Sequence, residues 1–384
     1  MIFTIFFAKF APLTIIFISK SQKCGIINRI IIFLGRYGMK RRFTARAIGL
    51  LALIICFACV FSGCASEPIA STEQEAAIVG TIGKYEVRYE ELRYLVLNYK
   101  RDMAARYGEG IWDSAESAEQ YKEELWSKVT DNIVSDYYAV MAMAEEYYYG
   151  GGSKAMMSDP AILDAVQATV ELAVDECGGR SKYKKMLKDQ YLTDYLFRFY
   201  NAAEECATEL FYILSRDLGV IESDDEYIED YMNSDDFLRT NHIFLKGVSE
   251  ENLALANKLH AQLSETDAKE LEMIMLKGIH CADYTLTTTH GKYFARYTSG
   301  YGEEYELAAF DLGIGSLSEV VETPDGYYII LRLEVEKEYM NDNFDDFKDD
   351  IMGSVFNQML EEYKESLTFE LNDYGKTLNI LEIE

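Results

Sequence analysis

The residue best placed to do chemistry is His242, within the run Arg-Thr-Asn-His-Ile-Phe-Leu from Arg239 to Leu245. Its neighbours are β-branched and aromatic, so the run predicts a strand that carries the imidazole. His280, Cys281 and His290 are of metal-ligating types, but their spacing fits no strong zinc pattern, which favours ordinary polar loop residues over a metal site. No glycine-rich phosphate loop, Ser-His-Asp arrangement or nucleophile elbow stands out. We therefore predict neither a metal nor a cofactor.

The elements that would position His242 follow it along the chain. Apolar residues recur at three- and four-residue spacing from Glu250 to Leu263, which predicts a helix. A second, short helix is expected to end near Phe310. Two strands should follow, joined through Pro324-Asp325-Gly326, because Pro presets φ and Gly accepts positive φ in a turn.

The closing part of this segment carries a family resemblance. Ala309 to Ile330 reads A-F-D-L-G-I-G-S-L-S-E-V-V-E-T-P-D-G-Y-Y-I-I. This run resembles the last part of the parvulin family of peptidyl-prolyl isomerases, and the strand with His242 resembles the first strand of that family. The match is dense at the end of the segment and weak in its middle.

The resemblance implies a site for X-Pro peptide bonds, whose cis/trans exchange is slow because the amide has partial double-bond character. It assigns the catalytic positions to His242 and Tyr328 and the substrate-binding positions to Tyr301, Tyr305 and Phe310. Such a catalyst needs no nucleophile, only an apolar cup for the proline ring and polar groups that favour the twisted amide.

Two departures from the parvulin pattern affect this site. Tyr328 replaces the usual second His, and its hydroxyl is expected to donate to His242 instead. The Asp or Cys that faces the first His in parvulins falls near Lys292. The alternative interpretation is that His242 is a satisfied core histidine in a domain that binds or spaces without catalysis.

The flanking regions resemble the SurA/PrsA-type foldases. Ala77 onward predicts a short strand, a Gly-Lys turn, a second strand and a helix from Tyr89, as at the start of those proteins. A helical pattern spans Ala118 to Tyr148, another helix opens at Asp159-Pro160, and the run from Cys177 resembles a Gly-Gly element of the same foldases in which Tyr191 replaces the usual Gly. After the parvulin-like segment, helical spacing from Phe344 to Leu367 precedes an alternating C-terminal strand.

This order predicts an α+β protein. A mostly helical SurA/PrsA-like chaperone domain would be completed by the C-terminal helix and strand, with a parvulin-like domain inserted between them. The expected segments are an upstream extension (1–38), a signal peptide (39–63), a lipidated cysteine with its linker (64–76), a helical domain (77–222), a parvulin-like domain (235–338) and a C-terminal return (341–384).

The first 63 residues contain nine Lys or Arg and no acid. Met39-Lys40-Arg41-Arg42 followed by an apolar run is a basic region before a hydrophobic region, as in a signal peptide. Ser62-Gly63-Cys64 resembles the lipobox of bacterial lipoproteins, which implies lipidation of Cys64 and cleavage before it; a plain transmembrane anchor is the alternative. Met39 is the more plausible start, so that residues 1–38 would be upstream sequence, although an extra membrane segment is the other possibility.

Charge excludes one class of function. Without the first 63 residues the chain keeps 28 of its 37 Lys and Arg against all 65 Asp and Glu, a net charge of −37. Nucleic-acid binding needs a basic face, so it is excluded. Cys177, Cys206 and Cys281 form no disulfide framework; buried free thiols are expected, with a Cys177–Cys206 pair as the alternative.

These observations leave three hypotheses. The first is a lipid-anchored, extracytoplasmic foldase that binds unfolded exported proteins, with a parvulin-like domain whose site is degenerate. The second is a working isomerase for X-Pro bonds in those proteins. The third is a cell-surface lipoprotein that binds a solute or envelope component. Tyrosines such as Tyr137 and Tyr138 would pack at the rim of the core or line a peptide cradle.

Overall fold

The structure is a computed structural model that describes residues 67–148, 151–286 and 290–384. The predicted extension, signal peptide and lipidation site at Cys64 lie outside the described residues. Within the described residues, no helix is long and apolar enough to cross a membrane.

Two small antiparallel sheets and thirteen α-helices make up the described part of the chain. The strands are β1 Ile78–Ile82, β2 Tyr85–Arg88, β3 Phe237–Lys246, β4 Lys292–Ala295, β5 Val321–Thr323, β6 Gly326–Leu333 and β7 Phe369–Leu371. The first eight helices are α1 Tyr89–Tyr107, α2 Ala115–Ile133, α3 Asp136–Tyr147, α4 Gly152–Met156, α5 Pro160–Glu176, α6 Arg180–Asp189, α7 Asp194–Tyr212 and α8 Asp225–Met232. The others are α9 Glu250–Ser264, α10 Lys269–His280, α11 Glu303–Phe310, α12 Lys337–Asp342 and α13 Phe344–Glu365.

The first sheet joins the two ends of the described chain. Its strand order is β2-β1-β7, so the last strand pairs with the first, with Gly80 opposite Leu371. Gly80 is needed there because a Cβ would meet the carbonyl oxygen of Glu370 at 2.4 Å. The α+β class and the return of the chain to its N-terminal part are therefore confirmed.

The position of the C-terminal strand differs from the prediction. The strand covers Phe369–Leu371, whereas the alternating run after Lys376 forms two 3-10 turns. The side-chain oxygen of Asn379 accepts a hydrogen bond from the N–H of Leu381, and this local bond favours a turn over a strand. Ile380 and Ile383 are three residues apart, as one 3-10 turn allows, and both are buried against the first sheet and its helices.

The helices from α1 to α7 bury apolar stripes against one another and against α13. The single helix predicted from Ala118 to Tyr148 is two helices, because the chain leaves the helical region at Val134, where ψ is 80°. The apolar repeat continues through this break because both helices cover the same core. The helix predicted at Asp159-Pro160 is present, and the Asp159 side chain caps it by accepting from the N–H of Ala161.

The segment between α7 and β3 contains the short helix α8. Asp224 caps α8, whose Ile228 and Met232 are fully buried. Both pack on Phe237, Phe347 and Ile351. The second sheet is thereby fixed against α13 by an apolar contact.

The second sheet has the order β4-β3-β6-β5, with β3 in the centre. Because side chains alternate along a strand, β3 presents two different faces. Ile243 and Leu245 pack under α9 and α10, while Leu238 lies on the opposite face with Tyr305 of α11. His242 shares that second face.

Candidate functional site

The imidazole of His242 has no exposed surface, and both of its nitrogens are hydrogen-bonded. Nε2 lies 3.2 Å from Oδ2 of Asp283, and Nδ1 lies 3.1 Å from the hydroxyl of Tyr305. The Tyr305 hydroxyl is in turn 2.9 Å from the hydroxyl of Thr240. His242 is therefore held rigidly between β3, α11 and the loop after α10.

Burial lowers the pKa of His242, against the opposing effect of Asp283, so the ring is neutral at neutral pH. A neutral imidazole has one donor and one acceptor nitrogen. An ionised carboxylate can only accept, so Nε2 carries the proton and donates to Asp283. Nδ1 then accepts from Tyr305.

Asp283 collects hydrogen bonds from four donors. Besides His242, the Tyr301 hydroxyl donates to it at 2.9 Å, and Thr285 donates through both its N–H at 2.8 Å and its hydroxyl at 2.6 Å. Burial raises the pKa of this carboxyl, but the bonds from His242, Thr285 and Tyr301 outweigh burial and hold the pKa well below its usual range. Asp283 is therefore a fixed negative charge at neutral pH.

Three tyrosine rings stand edge-on around His242. The ring centroids of Tyr301, Tyr305 and Tyr328 lie 4.7, 5.4 and 5.2 Å from that of His242. Burial raises the pKa of all three hydroxyls, so they stay protonated. The structure thus brings together four of the five residues predicted for the catalytic and substrate-binding positions.

Two expectations about this site are corrected. Tyr328 contacts His242 through its ring, because both imidazole nitrogens are already taken by Asp283 and Tyr305. Asp283, and not Lys292, lies opposite His242; Lys292 instead begins β4 and pairs with Thr240. The sequence did not point to Asp283 because the middle of the segment matches the parvulin pattern only weakly.

Phe310 is placed elsewhere. Its ring packs against Phe294 at 5.7 Å and under the guanidinium of Arg296 at 4.1 Å, and it lines a separate cleft. Phe310 therefore joins the apolar cluster of Tyr305 and Tyr328 from its outer side and makes its ring contacts with Phe294 and Arg296.

The residues of metal-ligating type are dispersed. Cys281 accepts from the N–H of Phe244, while His290 bonds to Glu336 and stacks on Tyr339. In the ranges 67–148, 151–286 and 290–384 no group of three such side chains is arranged to hold a metal ion. Cys177, Cys206 and Cys281 are free thiols, and Cys206 is the buried one.

The cleft that Phe310 lines has a volume of about 610 Å³ and separates the helical part of the chain from the second sheet. One wall comes from α1, α7, α13 and the break between α2 and α3. The opposite wall is the segment from Arg296 to Phe310. Seven aromatic side chains line it: Tyr94, Tyr99, Tyr137, Tyr138, Tyr200, Tyr297 and Phe310.

The cleft and the His242 site share one segment of chain. Tyr301 and Tyr305 face His242, whereas Glu306 and Phe310 of the same segment face the cleft. The Glu306 carboxylate accepts from the N–H of Tyr297 at 2.6 Å and of Ser299 at 2.9 Å, and so fixes the loop that leads to Tyr301.

No family model matches this chain, and no curated protein matches it. Several solved structures of foldases and chaperones are similar to it. PrsA of Bacillus subtilis is 19% identical over 64% of this chain and 86% of its own, with a TM-score of 0.24. The foldase protein PrsA of Streptococcus pneumoniae is 14% identical over the same shares, with a TM-score of 0.34.

A SurA-like chaperone of Campylobacter jejuni is 16% identical over 61% of this chain and 95% of its own, with a TM-score of 0.22. At these identities and TM-scores, the function has to be argued from the chain's own sites.

Proposed function

We propose that this chain is an extracytoplasmic, membrane-anchored foldase that binds unfolded exported proteins. The observation that carries the proposal is the cleft with seven aromatic side chains between the helical part and the second sheet. Tyrosine offers an apolar ring and a polar tip at a low cost in conformational entropy, so a wall of tyrosines suits varied polypeptide segments. An unfolded segment held there would be kept from aggregating with other chains.

The second sheet supplies a site for X-Pro segments beside that cleft. Because the His242 ring is completely buried, it does not meet a substrate; we assign it the role of holding Asp283. Asp283 and Tyr301 are partly buried polar groups beside the exposed Thr285, and the tyrosine rings would form the cup for proline. With Tyr328 in place of the second histidine, we propose a degenerate site with slow isomerase activity that depends on Asp283.

Anchoring would occur through lipid on Cys64, on the strength of Ser62-Gly63-Cys64 after a basic and an apolar region. One diacylglyceryl group carries two acyl chains, which meets the requirement for stable attachment. Replacing Cys64 by Ser is expected to abolish incorporation of labelled fatty acid into the chain. Unchanged labelling would contradict the lipid anchor.

The test of the foldase uses a client whose refolding is limited by X-Pro isomerisation and which aggregates when diluted from denaturant. The purified protein is expected to suppress aggregation at stoichiometric amounts and to accelerate the slow refolding phase weakly. A protein that neither suppresses aggregation nor changes refolding would overturn the proposal. Suppressed aggregation without faster refolding would support the chaperone activity and contradict the isomerase activity.

One observation favours a second candidate, a lipoprotein that binds a small solute. The cleft volume of about 610 Å³ lies within the range of about 300–1,000 Å³ that small-molecule pockets occupy. Calorimetric titration separates the two: a solute binder takes one small molecule per chain and ignores unfolded peptides, whereas the foldase binds peptides of many sequences.

A further inference from the structure

The cleft is unbalanced in charge. Its lining contains six acidic side chains, namely Asp131, Asp136, Glu303, Glu306, Glu361 and Glu365, in addition to Glu91, whose pKa burial raises to about 7. The cationic side chains in the same lining are Arg296 and Lys364. An occupant of this space therefore meets a negative field, which low-dielectric aromatic walls concentrate.

Both cations are already engaged. Lys364 lies 3.1 Å from Asp136 and 3.4 Å from Glu361, and Arg296 is paired with Asp236 at 2.5 Å. Glu91 and Glu306 are also committed, because they accept hydrogen bonds from Tyr138 and from two backbone N–H groups of the loop. The cleft lining also contains three exposed carboxylates, those of Asp131, Glu303 and Glu365.

The aromatic walls suit the same kind of occupant. Tyr137 stacks on Tyr200 with ring centroids 4.6 Å apart, and Tyr94 lies 5.9 Å from Tyr200. Lys and Arg side chains lay their apolar stems along such rings and keep the charged end at a polar rim. Their cationic ends are also attracted to the faces of the rings. Acidic segments meet repulsion from the carboxylates in the same place.

We propose that the cleft selects unfolded segments that carry Lys or Arg next to aromatic or apolar residues, through Asp131, Glu303 and Glu365 at its rim and tyrosines along its walls. This inference rests on the proposed function and specifies its substrate class. Exported chains with basic segments are then held preferentially, and acidic clients are bound weakly.

The test is a titration of the purified protein with three fluorescent peptides of equal length and equal aromatic content, which carry three lysines, three glutamines or three glutamates. At low salt the dissociation constant of the lysine peptide is expected to be at least about tenfold lower than that of the glutamate peptide. High salt should reduce the difference, because exposed charge pairs are screened.

Matched variants assign the preference to the cleft. In the cleft variant Asp131→Asn, Glu303→Gln and Glu365→Gln are combined. The control combines Glu123→Gln, Glu176→Gln and Glu370→Gln, which neutralise three exposed carboxylates outside the cleft lining. The cleft variant is expected to lose most of the preference for the lysine peptide, and the control is expected to keep it.

Each other outcome overturns the inference in a recognisable way. Equal binding of all three peptides, with client aggregation still suppressed, removes the charge selection and leaves the foldase. Equal loss of preference in both variants places the effect in the net charge of the chain and not in the cleft. Stoichiometric binding of spermidine with no binding of any peptide overturns both the inference and the foldase in favour of the solute binder.

Discussion

Nε2 of His242 lies 3.2 Å from Oδ2 of Asp283, and the two side chains differ in access to solvent: that of His242 is 0% exposed and that of Asp283 is 9% exposed. The buried partner therefore sets the position of the accessible one. In the proposed isomerase site the histidine would therefore be a positioning residue, and the carboxylate would be the group that a bound peptide meets.

The first prediction concerns that carboxylate. Asp283→Asn preserves size and an acceptor for His242 but removes the fixed charge. We expect the acceleration of X-Pro-limited refolding to fall at least about tenfold, or about 1.4 kcal/mol in barrier. The free energy of unfolding should fall by about 1–2 kcal/mol, because the single amide oxygen serves either His242 and Tyr301 or Thr285, but not both sides.

Asp267→Asn is the control, because Asp267 is an exposed carboxylate between α9 and α10. Unchanged acceleration in Asp283→Asn would remove the carboxylate from the mechanism. A similar loss in both variants would show that the charge of the domain, and not its site, matters.

The second prediction concerns Glu306, which links the cleft to the loop before Tyr301. Each carboxylate oxygen accepts one backbone N–H, from Tyr297 and from Ser299. Gln has one acceptor oxygen, so Glu306→Gln leaves one N–H without its partner, at a cost of about 1–2 kcal/mol. We expect faster hydrogen–deuterium exchange at Tyr297 and Ser299 and weaker isomerase activity.

The neighbouring Glu304 is exposed, which makes Glu304→Gln the matched control. Exchange that is equally fast in both variants would show that the Glu306 carboxylate does not hold the N–H groups of Tyr297 and Ser299. Faster exchange with unchanged isomerase activity would show that the loop before Tyr301 does not affect the His242 site.

Elements marked by local chemistry could be predicted from the sequence. The hairpin before Tyr89 follows from a glycine with positive φ at Gly83, and the turn at Asp325-Gly326 places β5 beside β6. Gly326 has φ 147°, and a Cβ there would meet the carbonyl oxygen of Leu245 at 2.0 Å. Such positions fix register through nearby residues alone.

Features that depend on distant packing could not be predicted. Asp283 reaches His242 only because α10 ends beside β3, 41 residues further along the chain. The cleft combines α1 with α13 and the loop before α11, which no local pattern connects. The C-terminal alternation was misleading because a buried turn and a buried strand can produce the same apolar spacing.

The third prediction concerns the buried Glu91. Burial raises its pKa to about 7, against hydrogen bonds from Tyr138 and the Arg88 N–H. Since the folded pKa lies above the unfolded value of about 4.3, the stabilising contribution is complete below that value and is lost as pH rises through about 7. The cost of the charged form is about 3–4 kcal/mol at about 1.36 kcal/mol per pKa unit.

Glu91→Gln removes this charge and keeps a residue that can complete the capping box at the start of α1. Relative to the unmodified protein, the free energy of unfolding of the variant should rise by about 2.5 kcal/mol between about pH 5 and pH 8. Urea unfolding at a series of pH values measures the difference, with exposed Glu123→Gln as the control. A difference that does not vary with pH would mean that Glu91 is ionised throughout.

The last prediction concerns Tyr191, which replaces the Gly of the foldase element that this part of the sequence resembles. Its φ is 60°, in the left-handed region that side chains with a Cβ rarely adopt. Tyr191→Gly relieves that strain but gives the unfolded chain more freedom and removes a half-buried ring. We expect a net gain of about 0.5 kcal/mol in the free energy of unfolding.

The adjacent Gln190 provides a sharp comparison because its φ is −106°, where a glycine relieves nothing. Gln190→Gly is expected to lose about 0.5–1 kcal/mol by chain entropy alone. Denaturant unfolding measures both changes in the free energy of unfolding. A gain for Tyr191→Gly with a loss for Gln190→Gly would assign the gain to relief of backbone strain at Tyr191. A loss at both would mean that contacts of the Tyr191 ring outweigh its strained conformation, which would explain why a tyrosine is tolerated there.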